Sequence, residues 1–136
     1  MSNSAEKYII KNVKSGLVLD ATEFYVKIQN YSSSTLQHWT LQDLDGGKFR
    51  IINVGNGKAM DIKDGAHIAN IITWPIKNPP STNQEWFINA DGTVECPVQN
   101  LVLDIEEEDL IPGNYVIAYP KTGKQNQIFS LETVKK

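Results

Sequence analysis

Three short segments of the chain share one pattern, a glutamine two residues before a large aromatic: LQHW (36–39), NQEW (83–86) and NQIF (126–129). The element recurs about every 40 to 50 residues, a period that is typical of repeat architectures. The pattern therefore marks equivalent positions in three repeated units, at Gln37, Gln84 and Gln127. Each unit is best interpreted by comparison with the other two.

Two further landmarks recur in the same order. SGLVLD, NGKAMD and QNLVLD each end in an aspartate, and IIKNV (9–13), RIINV (50–54) and the weaker VECPV (94–98) precede them. Together the landmarks fill the chain and predict a single domain over residues 1–136, with repeats at about 7–46, 47–92 and 93–134.

The local pattern within each repeat is that of β-structure. Short runs rich in Ile, Val, Tyr, Phe and Trp are separated by turn signals such as KSG, GNG and NADG. The predicted strands are 7–12, 17–20, 26–30, 38–43, 48–53, 58–62, 70–74, 85–89, 93–97, 101–105, 114–119 and 127–132. Twelve short strands in three repeats predict a closed three-fold barrel capped by hairpins, because a propeller needs more than three blades.

Composition excludes several classes of function. The 136 residues carry a net charge of -3, so no basic field attracts a phosphate backbone, and we expect no nucleic-acid partner. A single cysteine allows neither an intrachain disulfide nor a cysteine-based metal cage. Because no apolar run marks a signal sequence or a membrane span, we expect a cytoplasmic protein without membrane insertion, released, if at all, by a non-classical route.

The repeated Gln-x-Trp elements and aspartate endings resemble those of the ricin-type β-trefoil lectins, above all the small single-domain lectins of fungi and some bacteria. The resemblance extends from about Lys7 to Glu132. It implies an all-β trefoil of twelve strands in three pseudo-symmetric repeats. It also implies sugar binding without catalysis, often to galactose or N-acetylgalactosamine.

The motif residues themselves are expected to be architectural. Three large aromatics at equivalent positions would bury much apolar area around one axis. Each glutamine would satisfy backbone groups in the adjoining turn, since a buried amide must be paired. These structural residues are Gln37 and Trp39, Gln84 and Trp86, and Gln127 and Phe129.

The resemblance also indicates where a sugar would bind. The family pattern combines the aspartate that ends the second strand of a repeat, an aromatic at the end of the third strand, and the asparagine before Gln-x-Trp. Carried over by repeat, these residues are Asp61, Trp74 and Asn83; Asp104, Tyr119 and Asn126; and Asp20 and Tyr31, with Leu36 in place of the asparagine. The second and third sites are expected to function, and the first to be weak or inactive because leucine forms no hydrogen bond.

Three other residues are candidates for the same pockets: His67 near the second site, and Gln29 and Ile117, which lie two residues before the aromatics. A structural interpretation stays open beside the functional one. An aspartate at a strand end often caps its own turn, and Trp74 and Tyr119 could be core residues. The proline after each of these aromatics favours a strand end near the surface.

No catalytic or metal-binding constellation stands out. Neither His38 nor His67 has a nucleophile signature nearby, and EEED (106–109) is interpreted as a solvated loop. We expect a non-enzymatic agglutinin that needs no cofactor or metal and has glycoconjugates as partners. Its oligomeric state stays open, with a homodimer as one option. The alternatives are a protease inhibitor, with candidate loops 75–83 and 106–114, and a sugar-blind scaffold for protein interactions.

Overall fold

The computed structural model describes residues 6–66, 68–97 and 100–135. Its strands are β1 Tyr8–Asn12, β2 Val18–Asp20, β3 Lys27–Gln29, β4 Trp39–Asp43, β5 Lys48–Asn53, β6 Ala59–Ile62, β7 Ala69–Trp74, β8 Trp86–Ile88, β9 Val94–Cys96, β10 Leu101–Ile105, β11 Val116–Pro120 and β12 Phe129–Thr133. The predicted β-trefoil with twelve short strands is confirmed. Within the described ranges, no helix has the length and apolarity needed to cross a bilayer.

Five 3₁₀ turns interrupt the strands, and three of them contain the repeated glutamines. Each of these three turns ends on the glutamine, and a barrel strand begins two residues later. The turns are Thr35–Gln37, Thr82–Gln84 and Gln125–Gln127. The predicted strand 127–132 therefore begins two residues later, at Phe129. Sequence alternation does not reveal this turn, because one 3₁₀ turn is too short to show a period.

The barrel joins the two ends of the chain. β1 pairs antiparallel with β12 over the range Tyr8↔Thr133 to Asn12↔Phe129, and β4 pairs with β5 over Trp39↔Asn53 to Asp43↔Phe49. β8 pairs with β9 over Phe87↔Glu95 and Ile88↔Val94. The other six strands form the hairpins β2–β3, β6–β7 and β10–β11, one per repeat. Each of these hairpins carries one of the repeated aspartates on its first strand.

The three hairpins contact one another in a ring. Tyr25 pairs with Ile72, Asn70 with Ile117, and Tyr115 with Lys27. Each repeat thus places the start of its third strand against the third strand of the next repeat. As a consequence, Phe24 of the first repeat lines a cavity with Asp61 of the second, and Ile68 of the second lines a cavity with Asp104 of the third.

The core lies at the centre of the barrel and under the hairpin ring. Trp39 and Trp86 are fully buried, and Phe129 occupies the third equivalent place. The indole Nε1 of Trp39 donates to the Leu19 carbonyl at 3.4 Å, and that of Trp86 donates to the Met60 carbonyl at 3.1 Å. The aromatics of the motif are therefore core residues whose polar atoms, where present, are paired inside the same repeat.

Candidate functional site

Each repeated glutamine connects the aspartate of its repeat to the loop that follows the third strand. In the second repeat, Gln84 Nε2 donates to Asp61 Oδ2 at 2.8 Å and to the Pro75 carbonyl at 3.1 Å. Gln84 Oε1 accepts from the Lys77 backbone N–H at 3.2 Å. The side chain is fully buried, so these bonds replace water at every polar atom of the amide.

The same connection occurs in the other two repeats. Gln127 Nε2 donates to Asp104 Oδ2 at 2.8 Å, and Gln37 Nε2 donates to Asp20 Oδ2 at 2.9 Å. The sequence indicated the backbone bonds of the glutamines but not their bonds to the aspartates. The glutamine therefore orients the carboxylate as well as the turn.

In the second repeat, Asp61 and Trp74 line one shallow cavity of about 320 Å³. Asp61 is 2% exposed, whereas the Trp74 ring is 45% exposed. Asn83 Nδ2 donates to Asp61 Oδ1 at 3.0 Å and to the Ile62 carbonyl at 3.2 Å. The structure brings all three predicted residues together, with the asparagine holding the carboxylate.

A residue of the first repeat completes this cavity. Phe24 lines it, and the Phe24 ring meets the Trp74 ring edge to face, with centroids 6.2 Å apart and planes at 70°. Patterns within one repeat gave no signal for Phe24, because it reaches the site through the hairpin ring. It adds an exposed apolar surface beside the indole.

Basic residues balance the charge of the second cavity. Lys77 Nζ lies 3.9 Å from Asp61 Oδ2, and Lys63 also lines the cavity. The buried Arg50 guanidinium donates to the Lys77 carbonyl at 2.9 Å and so fixes the loop that carries this lysine. Burial raises the pKa of the Asp61 carboxyl, while the Gln84 bond and the Lys77 charge oppose that rise.

In the third repeat, Asp104, Tyr119 and Asn126 line a cavity of about 440 Å³. Tyr119 is 39% exposed, and Ile68 of the preceding repeat contributes to the wall as Phe24 does in the second cavity. Burial raises the pKa of the Asp104 carboxyl to about 6, opposed by its bond from Gln127. The three predicted residues again lie together, and Ile117 lines the same cavity.

The two asparagines differ in what their side-chain oxygen contacts. Ser81 Oγ donates to Asn83 Oδ1, whereas Lys124 occupies the equivalent place in the third repeat. Asn126 Nδ2 donates to the Ile105 carbonyl at 3.0 Å, and its Oδ1 is buried without a hydrogen-bond partner among the described residues. The third cavity therefore contains an unused acceptor.

The strand register corrects the aromatic predicted for the first site. In each repeat, the residue two positions before the aspartate pairs with one residue of the third strand. That partner is Trp74 in the second repeat, Tyr119 in the third and Gln29 in the first. Tyr31 lies two residues further on, with its hydroxyl 2.9 Å from His38 Nε2. Tyr31 is therefore not at the position equivalent to Trp74 and Tyr119, because the hairpin loops differ in length and spacing from the aspartate does not fix the register. Its contact with a sugar stays a prediction.

The first cavity, of about 290 Å³, is consequently polar. Asp20 and Gln29 line it, together with the ion pair of Lys27 and Glu23, whose Nζ and Oε1 are 2.8 Å apart. Asp20 Oδ1 also accepts from the Thr22 backbone N–H at 2.7 Å, so this aspartate does cap its own turn. The first repeat thus has Gln29 in place of the exposed ring of Trp74 or Tyr119, and Leu36 in place of the asparagine.

Two sequence expectations concern residues or groups beyond these cavities. His67 lies outside the described residues, so its predicted place near the second site stays a prediction. Across the described part of the chain, no three His, Cys, Asp or Glu side chains are grouped so that they could hold a metal ion.

Comparison with known proteins assigns the family. A model described as ricin-type beta-trefoil lectin domain-like matches residues 1–74 and 35–119. The chain belongs to this family of lectin-like trefoil domains. The resemblance carried by the Gln-x-Trp elements is thereby confirmed.

Individual proteins show the same relationship. The ribosome-inactivating protein SNAIf of Sambucus nigra is 30% identical over 91 residues, which are 67% of this chain and 15% of that protein. The designed three-fold symmetric protein ThreeFoil has a TM-score of 0.84 and 27% identity, covering 92% of this chain and 96% of its own. The C-half of an earthworm R-type lectin, solved in complex with GalNAc, has a TM-score of 0.77 and 23% identity, covering 95% and 99%.

Proposed function

We propose that the protein is a lectin that binds galactose- or N-acetylgalactosamine-type glycans at its second and third repeats. One observation carries the proposal. A buried carboxylate and an exposed aromatic ring line the same shallow cavity, and this occurs twice, with Asp61 and Trp74 and with Asp104 and Tyr119. The lectin family to which the chain belongs supports it.

The chemistry of a hexose matches these groups. An ionised carboxylate accepts hydrogen bonds from two neighbouring hydroxyls, and a ring packs against the C–H face of the sugar. The axial hydroxyl of galactose projects from one side of the sugar ring, so the opposite side presents an uninterrupted C–H face to an aromatic ring. Gln84 and Gln127 hold the carboxylates in place, so little ordering is required when the sugar binds.

Shallow cavities with few polar groups bind single sugars weakly, with a Kd on the order of a millimolar to tens of micromolar. Two sites on different repeats would engage two sugars of one surface, and the second contact then benefits from a high effective concentration. We therefore propose that the protein acts as a multivalent, metal-independent agglutinin and binds without catalysis.

Calorimetric titration of the protein with galactose, N-acetylgalactosamine, lactose and glucose tests the proposal. Binding of the galactose-type sugars at two sites per chain, unchanged by a chelator, is the expected result. Absence of binding to every sugar at high protein concentration, or loss of binding with the chelator, contradicts it.

A further inference from the structure

The second and third cavities have opposite charge balance. Acidic side chains line the third cavity at four positions, Asp104, Glu106, Glu107 and Glu108, and neither lysine nor arginine is part of its described lining. In the second cavity two carboxylates, Asp61 and Asp64, are matched by two lysines, Lys63 and Lys77.

The difference arises in equivalent 3₁₀ turns. Lys63–Gly65 follows β6 and Glu106–Glu108 follows β10, and both turns contain a left-handed residue, Asp64 at φ 58° and Glu107 at φ 57°. The backbone has the same shape in both repeats, so the side chains alone set the charge. Lys124, which pairs with Glu108 at 3.2 Å across an exposed contact, offsets only one of the four acids.

A second, independent observation favours a ligand that donates a hydrogen bond. Asn126 lines the third cavity, is 5% exposed, and has a buried Oδ1 that accepts no hydrogen bond from the described residues. A buried acceptor without a partner costs free energy, which a ligand with an N–H or O–H group would recover.

The chemistry of the ligand follows from the groups around the cavity. A metal ion does not fit, because the acids of the described chain do not converge as metal ligands. The exposed Tyr119 ring and the volume of about 440 Å³ suit a hexose. We infer that the third-repeat cavity selects a hexosamine with a free, protonated amino group, whereas the second-repeat cavity has no such preference.

This inference rests on the proposed lectin function and adds a different specificity to each site. Each acid near the ammonium group contributes only a small attraction where water screens it, and several together should give about a tenfold preference. Neutral pH lies above the Asp104 pKa of about 6, so this carboxyl is ionised and contributes its charge.

Variants that each retain one of these sites provide the test. Trp74→Ala weakens the second site and Tyr119→Ala the third, and both rings are exposed enough for the fold to persist. Each variant is titrated at neutral pH with galactose, galactosamine and N-acetylgalactosamine. Propylamine serves as a control ligand that has an amino group but no sugar ring.

We expect Trp74→Ala to bind galactosamine about tenfold more tightly than galactose at about 10 mM ionic strength, and nearly equally at about 1 M, where charges are screened within about 3 Å. Tyr119→Ala should show no preference. Adding Glu107→Gln to Trp74→Ala should reduce the preference, while Glu132→Gln, a charge change away from the cavity, should keep it.

Equal affinity of Trp74→Ala for galactose and galactosamine would overturn the inference and leave the lectin function standing. Tight binding of propylamine would also overturn it, by showing that the site recognises an amine rather than an amino sugar. If no variant and no unmodified protein binds any sugar, the proposed function itself fails.

Discussion

The Nε2 atom of Gln84 donates a hydrogen bond to Asp61 Oδ2 over 2.8 Å, and both side chains are buried. The same glutamine also connects the carbonyl of Pro75 and the N–H of Lys77. A residue of the repeat motif thus fixes both the carboxylate of the candidate site and the loop beside it. One side chain thus supports both the fold of the loop and the orientation of the candidate site's carboxylate. Mutation of such a glutamine should therefore affect stability as well as ligand binding.

Replacing Gln127 by alanine should destabilise the protein by about 2–4 kcal/mol. It removes hydrogen bonds at 2.8 Å to Asp104, at 2.9 Å to the Pro120 carbonyl and at 2.7 Å from the Thr122 N–H, and leaves a buried carboxylate without its donor. Urea denaturation measures the change. Gln125→Ala, an exposed glutamine in the same turn, is the matched control and should stay within about 0.5 kcal/mol; similar losses for the two variants would contradict this assignment.

Trp74→Ala should abolish sugar binding at the second repeat with little loss of stability, because the ring is exposed. Tyr31→Ala removes an aromatic of similar exposure that the register places away from the equivalent position. It should leave the number of sites unchanged. Titration with galactose counts the sites, and a lost site in Tyr31→Ala would show that the register argument does not govern binding.

A third site should be obtainable by restoring what the first repeat lacks. Gln29→Tyr supplies a ring at the position of Tyr119, and Leu36→Asn supplies the amide next to Gln37. The double variant should bind one more galactose per chain, measured by calorimetry. Gln29→Tyr alone is the control, and an unchanged stoichiometry in the double variant would mean that Asp20, tied to the Thr22 N–H, is not available.

Stability should decrease with rising pH because of Asp104. Its pKa is raised to about 6 in the folded protein, so the folded state binds the proton more strongly than the unfolded chain, whose value is near 3.8. The contribution is complete below the unfolded pKa and is lost as pH rises through the folded one, between about pH 4 and pH 6, and amounts to about 2 kcal/mol.

Asp104→Asn should remove that decrease while retaining an acceptor for Gln127. Denaturation midpoints measured across this pH range for both proteins give the comparison. Asp45→Asn, at an exposed turn, controls for the change in net charge. Parallel pH profiles for the unmodified protein and Asp104→Asn would show that this carboxyl titrates normally.

The repeat made most of the fold predictable. Three copies of the landmarks identified twelve strands and their order, because each copy checks the other two. The aspartate, aromatic and asparagine of the second and third sites were predicted from the resemblance to the ricin-type lectins, carried over by repeat, and the structure brings them together in the cavities.

Other features of the candidate sites could not be predicted from the sequence repeat. Tyr31 was misplaced because register depends on hairpin loop length, which backbone pairing resolves and residue spacing does not. Phe24 and Ile68 enter cavities of the following repeats, and such contacts have no trace in a pattern that compares repeats one at a time.

The sequence by itself determined the three-fold β-architecture, because strand periodicity, turn residues and a repeated motif are local properties. Its resemblance to a known family indicated the residue types of the candidate sites. Only the tertiary structure decided which residues share a cavity and what charge surrounds them. The closed ring of hairpins brings Phe24 to Trp74, and the β10–β11 hairpin places four acids in the same cavity as Tyr119. Burial, which is the largest cause of the raised pKa of Asp104, is likewise a property of the packed molecule.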